Sequence, residues 1–133
     1  MGGERTRFLA IDLDLHKGDP DIFLEQLAVL QQHFHGKGGW HYQVSRTWAG
    51  GIHLLKVLPN SAPLDLYRLG LRRLLRKLDD NNPELAQKAI AAGMKPLGEL
   101  DIFPNPKAGF RLPLCSGRVM LLDKPLDLVT NRN

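Results

Sequence analysis

The chain has 133 residues, 43% hydrophobic and 24% charged, a length that supports one domain around a single core. No apolar run is long enough to span a bilayer, so no membrane partner is expected; a single cysteine, Cys115, excludes an internal disulfide and a multi-cysteine zinc site. The net charge of +4 favours an anionic partner such as nucleic acid or a nucleotide. The N-terminal residues lack a signal-peptide pattern, and with one cysteine the expected setting is intracellular and cytoplasmic.

In chain order, residues 8–16 read as an apolar strand carrying Asp12 and Asp14. Strand side chains alternate, so the two aspartates leave on one side while Ile11, Leu13 and Leu15 leave on the other. At an effective dielectric near 20 their repulsion is on the order of 3–4 kcal/mol. A cation or a shared proton relieves it; alternatively one aspartate starts the turn at 17–20 and the other caps or solvates the strand end. Asp19-Pro20 then opens a helix over about 20–35, with Ile22, Phe23, Leu27, Leu30 and Phe34 at helical spacing. Glycines at 36–39 end it. A hairpin follows, with strands at 40–45 and 52–58 and a turn containing Gly50-Gly51, where a positive φ is accessible.

Residues 59–63 break that second strand and start a helix over about 63–79. Its apolar stripe is Leu64, Tyr67, Leu71, Leu74, Leu75 and Leu78, and Arg68, Arg72, Arg73, Arg76 and Lys77 cover the remainder. Such a basic face is a solvated surface or a nucleic-acid contact. Asn82-Pro83-Glu84 opens a short third helix closed by Gly93, and strands are expected at 97–103, 110–114 and 119–122, with a polar tail from Asp123. The order predicts an α+β domain: an antiparallel or mixed sheet with helices on one face, close to a ferredoxin-like or RRM-like palm.

In such a sheet the first strand lies centrally, so Asp12, Asp14 and Asp101 can meet at a hard-oxygen site suited to Mg²⁺ or Mn²⁺. Two such ions activate an attacking 3′-hydroxyl and stabilise leaving pyrophosphate. His53, Arg46 and Arg111 are then candidate donors to the phosphates of an incoming nucleotide. Glu99, two residues from Asp101 on the expected strand, is the alternative third carboxylate. Taken alone, His53 is more readily a packed or exposed strand histidine.

Three motifs in order make the chain resemble the archaeo-eukaryotic primase (primase-polymerase) superfamily over roughly residues 8–115. They are Ile11-Asp12-Leu13-Asp14, the segment from Ser45-Arg46 to Gly51-Ile52-His53, and Leu100-Asp101-Ile102-Phe103-Pro104 followed by Phe110-Arg111-Leu112. The resemblance implies a DNA primase/polymerase-type nucleotidyltransferase of a replication or mobile-element system, with Asp12, Asp14 and Asp101 catalytic and metal-binding. It implies Ser45, Arg46, His53, Lys107 and Arg111 as nucleotide contacts. The implied partners are nucleoside triphosphates, single-stranded template or primer-template DNA, RNA, and a helicase or further domains of a larger replication protein. Trp48 with Arg72, Arg73 and Arg76 would contact the template. Members carry an α/β module ahead of the first motif, where seven residues stand here, so a fragment or a minimal version is expected. Glycine at position 51 replaces a serine common in the family.

Two other classes fit parts of the pattern. A catalytically silent RRM-like module would bind nucleic acid regardless of EDTA. A replication-initiator nuclease needs a His-x-His pair, and His53-Leu54-Leu55 lacks the second histidine. Trp40 and Tyr42 suit core or hairpin packing, whereas Trp48 suits base stacking or the turn.

Overall fold

Apolar residues at every second position give one interior strand its core face. In β1 (Arg5–Leu13), Leu9, Ile11 and Leu13 enter the core while Asp12 takes the other face. The computed structural model describes residues 4–15, 18–35, 37, 40–44, 51–104 and 118–121. Next comes α1 (Pro20–Phe34), where Asp19 Oδ1 accepts from the Asp21 amide at 2.8 Å and Pro20 fills a position whose N–H would otherwise be orphaned. β2 (Trp40–Val44) and β3 (Ile52–Pro63) form the hairpin. They lead to α2 (Leu64–Asn81), α3 (Pro83–Ala91), a 3₁₀ turn at Leu97–Glu99, β4 (Asp101–Phe103) and β5 (Arg118–Leu121).

The sheet order is β4-β1-β3-β2-β5, antiparallel at every step. Its first four strands have the ferredoxin-like order, and β5 extends the sheet beyond β2. The expected α+β palm with helices on one face is therefore present. One core lies between that face and the helices, joining Ile11 and Leu13 to Phe23, Leu27 and Leu30 of α1 and to Leu71, Leu75 and Leu78 of α2. Trp40 and Tyr42 are buried in it, and the Trp40 ring lies 4.2 Å from that of Phe34. No helix among the described residues is long and apolar enough to cross a membrane.

Several boundaries differ from expectation. β1 ends at Leu13, so Asp14 lies one residue beyond the strand. β3 continues to Pro63 instead of breaking at Pro59. Its register slips between Phe8↔Val57 and Thr6↔Ala62, so Pro59 falls in a bulge where its missing N–H costs no ladder bond. Arg7 Nη2 donates to the Pro59 carbonyl at 3.1 Å and Arg5 Nη2 to the Ser61 carbonyl at 2.8 Å, tying the bulge to β1. Tyr67 is exposed rather than in the stripe, because the line from Leu64 to Leu71 passes between positions 67 and 68 and half-buries Arg68. The segment expected as one strand over 97–103 divides into the 3₁₀ turn and a three-residue strand. The expected strand at 110–114 and the tail from Asp123 lie outside the described residues.

Burial, then the charges of Lys37 and Lys77, hold the His33 pKa in the last turn of α1 below its ordinary 6.5. The unfolded chain therefore takes up this proton first as pH falls, so stability is lost from about pH 6.5 down to the lowered folded value. His33→Gln should flatten this part of the acid limb. Urea midpoints at pH 7.5 and 5.0 should fall less in the variant than in the wild type.

Candidate active-site cleft

Two strand registers bring the polar side chains together. Asp12 of β1 stands opposite His53 of β3 and opposite Asp101 of β4. Directly opposed residues in an antiparallel pair share a face, with Cβ atoms about 4.5–5.5 Å apart. Ile11, Leu13, Ile52, Leu54 and Ile102 alternate with the three and lie in the core, so the row Asp101, Asp12, His53 faces away from the helices. His53 Nε2 is 3.2 Å from Asp12 Oδ1, with the aspartate side chain only 16% exposed. Asp101 is half exposed and receives the Lys95 ammonium at 3.3 and 3.4 Å on its two oxygens. Past the end of β1, Asp14 joins Asp12 and Asp101 in lining one cleft of about 750 Å³, whose wall includes Gln26, Met94 and Lys95.

Backbone contacts fix the walls of this cleft. Gly51, at φ 112, lies so close to β1 that a Cβ there would meet the Leu13 carbonyl oxygen at 2.1 Å. No side chain fits at that position without a shift of the backbone. On the other wall, the buried Gln26 donates Nε2 to the Lys95 carbonyl at 2.9 Å, and the Asp19 amide donates to Met94 Sδ at 3.3 Å. The chain after α3 is thus fastened to the start of α1.

Asp101 itself is placed by α2. Asp79 accepts from the Leu97 and Gly98 amides at 3.0 and 2.7 Å, at the start of the 3₁₀ turn. Arg72 Nη1 donates to the Gly98 and Leu100 carbonyls at 2.9 and 2.6 Å, at its end. Gly98 allows the approach, since a Cβ would meet Arg76 Cγ at 2.7 Å. Burial, then the charges of Arg68 and Arg76, lower the Arg72 pKa, against the opposing pull of Asp101 and Glu99. This half-buried guanidinium holds the turn that leads directly into β4.

The structure thus unites four of the expected residues: Asp12, Asp14 and Asp101 in one cleft, with His53 bonded to Asp12. It corrects the basis for Glu99, which sits in the 3₁₀ turn and not on the strand beside Asp101. It also assigns Arg72 to the backbone of residues 98–100 rather than to a free surface, while Arg73 and Arg76 are exposed. Because α2 packs its leucines on the opposite face of the sheet, its exposed side and the acidic row lie on different sides of the domain. Ser45, Arg46, Trp48, Lys107 and Arg111 lie outside the described residues.

Among the described residues, no group of three or more His, Cys, Asp or Glu stands close enough to hold a metal ion as arranged. Lys95 instead pairs with Asp101, and His53 contacts Asp12 at 3.2 Å. As a donor set, three carboxylates bordering an open cleft suit a hard divalent cation whose remaining ligands are water or phosphate. Sequence reading missed Lys95, Gln26 and Asp79. Lys95 follows a helix-stopping Gly93, the one local sign that it turns back toward β4; nothing in the periodicity distinguishes Gln26 or Asp79. Comparison with protein-family models, with curated proteins and with solved structures finds no match.

Asp79→Ala should cost about 2–3 kcal/mol of stability, as two backbone donors lose a charged acceptor. Asp79→Asn should rescue little of this, since one amide N–H would face the side-chain NH₂. Urea denaturation of both variants checks the magnitude.

Proposed function

We propose that this domain is the catalytic palm of a metal-dependent nucleotidyltransferase of the DNA primase/polymerase kind, adding nucleotides to a nucleic-acid 3′-end. The observation that carries the reading is that Asp12, Asp14 and Asp101 line a single cleft, with His53 held against Asp12 in the same row across the strands. The cleft volume of about 750 Å³ is within the usual range for a small-molecule site and accommodates a nucleoside triphosphate. Asp12, Asp14 and Asp101 would hold Mg²⁺ or Mn²⁺. When bound, such ions supply charge neutralisation and activation of the attacking hydroxyl.

The chain's own residues have separable roles in this proposal. The carboxylates bind the cations and His53 donates to the triphosphate, alongside Ser45, Arg46, Lys107 and Arg111 from the motif resemblance. Phosphoryl transfer requires positioning and charge stabilisation rather than a covalent intermediate, so the absence of a serine–histidine or cysteine–histidine pair among the described cleft residues is no obstacle. Template or primer-template DNA is the proposed macromolecular partner, with RNA as a further one.

Asp12→Asn combined with Asp14→Asn should abolish Mn²⁺ binding measured by calorimetry while the circular dichroism spectrum is retained. Equal binding by wild type and double variant would remove the metal site from consideration. With a primed template, nucleoside triphosphates and Mn²⁺, the wild type should extend the primer, and EDTA or the double substitution should stop it. Template affinity should fall steeply with salt as phosphate contacts release counterions. Nucleic-acid binding that persists in EDTA without any extension would favour the RRM-like binding module instead.

A further inference from the structure

Lys95 is the one cation among the described cleft residues, and its position is unusual. Its ammonium bridges both oxygens of Asp101, at 3.3 and 3.4 Å, the carboxylate that the proposed function assigns to a metal. Its backbone is held independently, by Gln26 Nε2 on the Lys95 carbonyl at 2.9 Å. The side chain is 57% exposed and its partner 51%, so the ion pair is solvent-screened and weak. A fixed backbone bearing a mobile ammonium at the cleft wall can exchange one anion for another without moving the fold.

We infer that Lys95 is a stand-in cation that yields Asp101 to a divalent metal and then binds a phosphate oxygen of the incoming nucleoside triphosphate. This rests on the proposed nucleotidyl-transfer cleft and adds a phosphate contact that neither the motifs nor the register identifies. The two roles have opposite signs in binding. Against metal alone Lys95 competes, because the ammonium and the cation claim the same oxygens. Toward the triphosphate it contributes attraction, because the ammonium is released next to phosphate oxygens that stay anionic in the metal complex. A residue that merely supported the cleft would shift both affinities in the same direction or neither.

The test is calorimetry on the full chain with Mn²⁺ alone, and then with a deoxynucleoside triphosphate at saturating Mn²⁺. Lys95→Met should bind Mn²⁺ about twofold to fivefold more tightly, the range expected when a screened ion pair is removed. The same variant should bind the triphosphate about tenfold more weakly. Lys95→Arg, which keeps the charge, should stay close to wild type in both, and the gain in Mn²⁺ affinity should shrink at 0.5 M NaCl. Wild-type Mn²⁺ binding that is lost in the Asp12→Asn, Asp14→Asn variant but unchanged in Lys95→Met would overturn the inference and leave the metal site standing. Absence of Mn²⁺ binding by the wild type would overturn both.

Discussion

The register of β1 against its two neighbours is the constraint on which the rest depends. A one-residue slip on either side would carry Asp12 into the core and Ile11 or Leu13 out of it. Burying a carboxylate without a partner costs far more than burying an aliphatic group gains, so the apolar face enforces the alignment that the polar face uses. Core and cleft are therefore specified by the same ladder bonds. The close packing of Gly51 on Leu13 fixes the spacing where β1 ends and Asp14 begins.

Charge in the cleft is managed locally. Asp12 is held by His53 and Asp101 by the Lys95 ammonium, so each of the two carboxylates has its own partner in the row. The basic content of α2 takes another part. Arg72 works together with Asp79 of the same helix, and the two charges grip opposite ends of the 3₁₀ turn. An arginine that looks like surface charge in the sequence is in this way a strut beneath the acidic row.

The fold was largely legible because its signals are periodic. Helical spacing in α1 and the stripe Leu64, Leu71, Leu75, Leu78 placed the buried faces, and alternation around Trp40 and Tyr42 placed the hairpin. The aspartates were legible as a pair because charge on an apolar strand is conspicuous, and the order of elements brought Asp101 to them. What escaped depends on backbone detail. The bulge that lets β3 pass Pro59 is set by pairing with Thr6 and Phe8, and the division of 97–103 into turn and strand is set by Asp79 and Arg72 from α2. Lys95 escaped for the same reason, since its reach to Asp101 depends on a chain path fastened by Gln26.

The shortness of β4 has a consequence for how the cleft behaves in time. At three residues, with one strand neighbour among the described residues, it has few ladder bonds there, the features of a segment that opens without global unfolding. Asp101 is carried by that segment, whereas Asp12 and His53 sit on strands paired along both edges. Amide exchange at residues 101–103 should accordingly be faster than at the centre of β1. Any ligand that requires all three carboxylates binds only the zipped form, and its measured affinity then includes the free energy of keeping that segment closed.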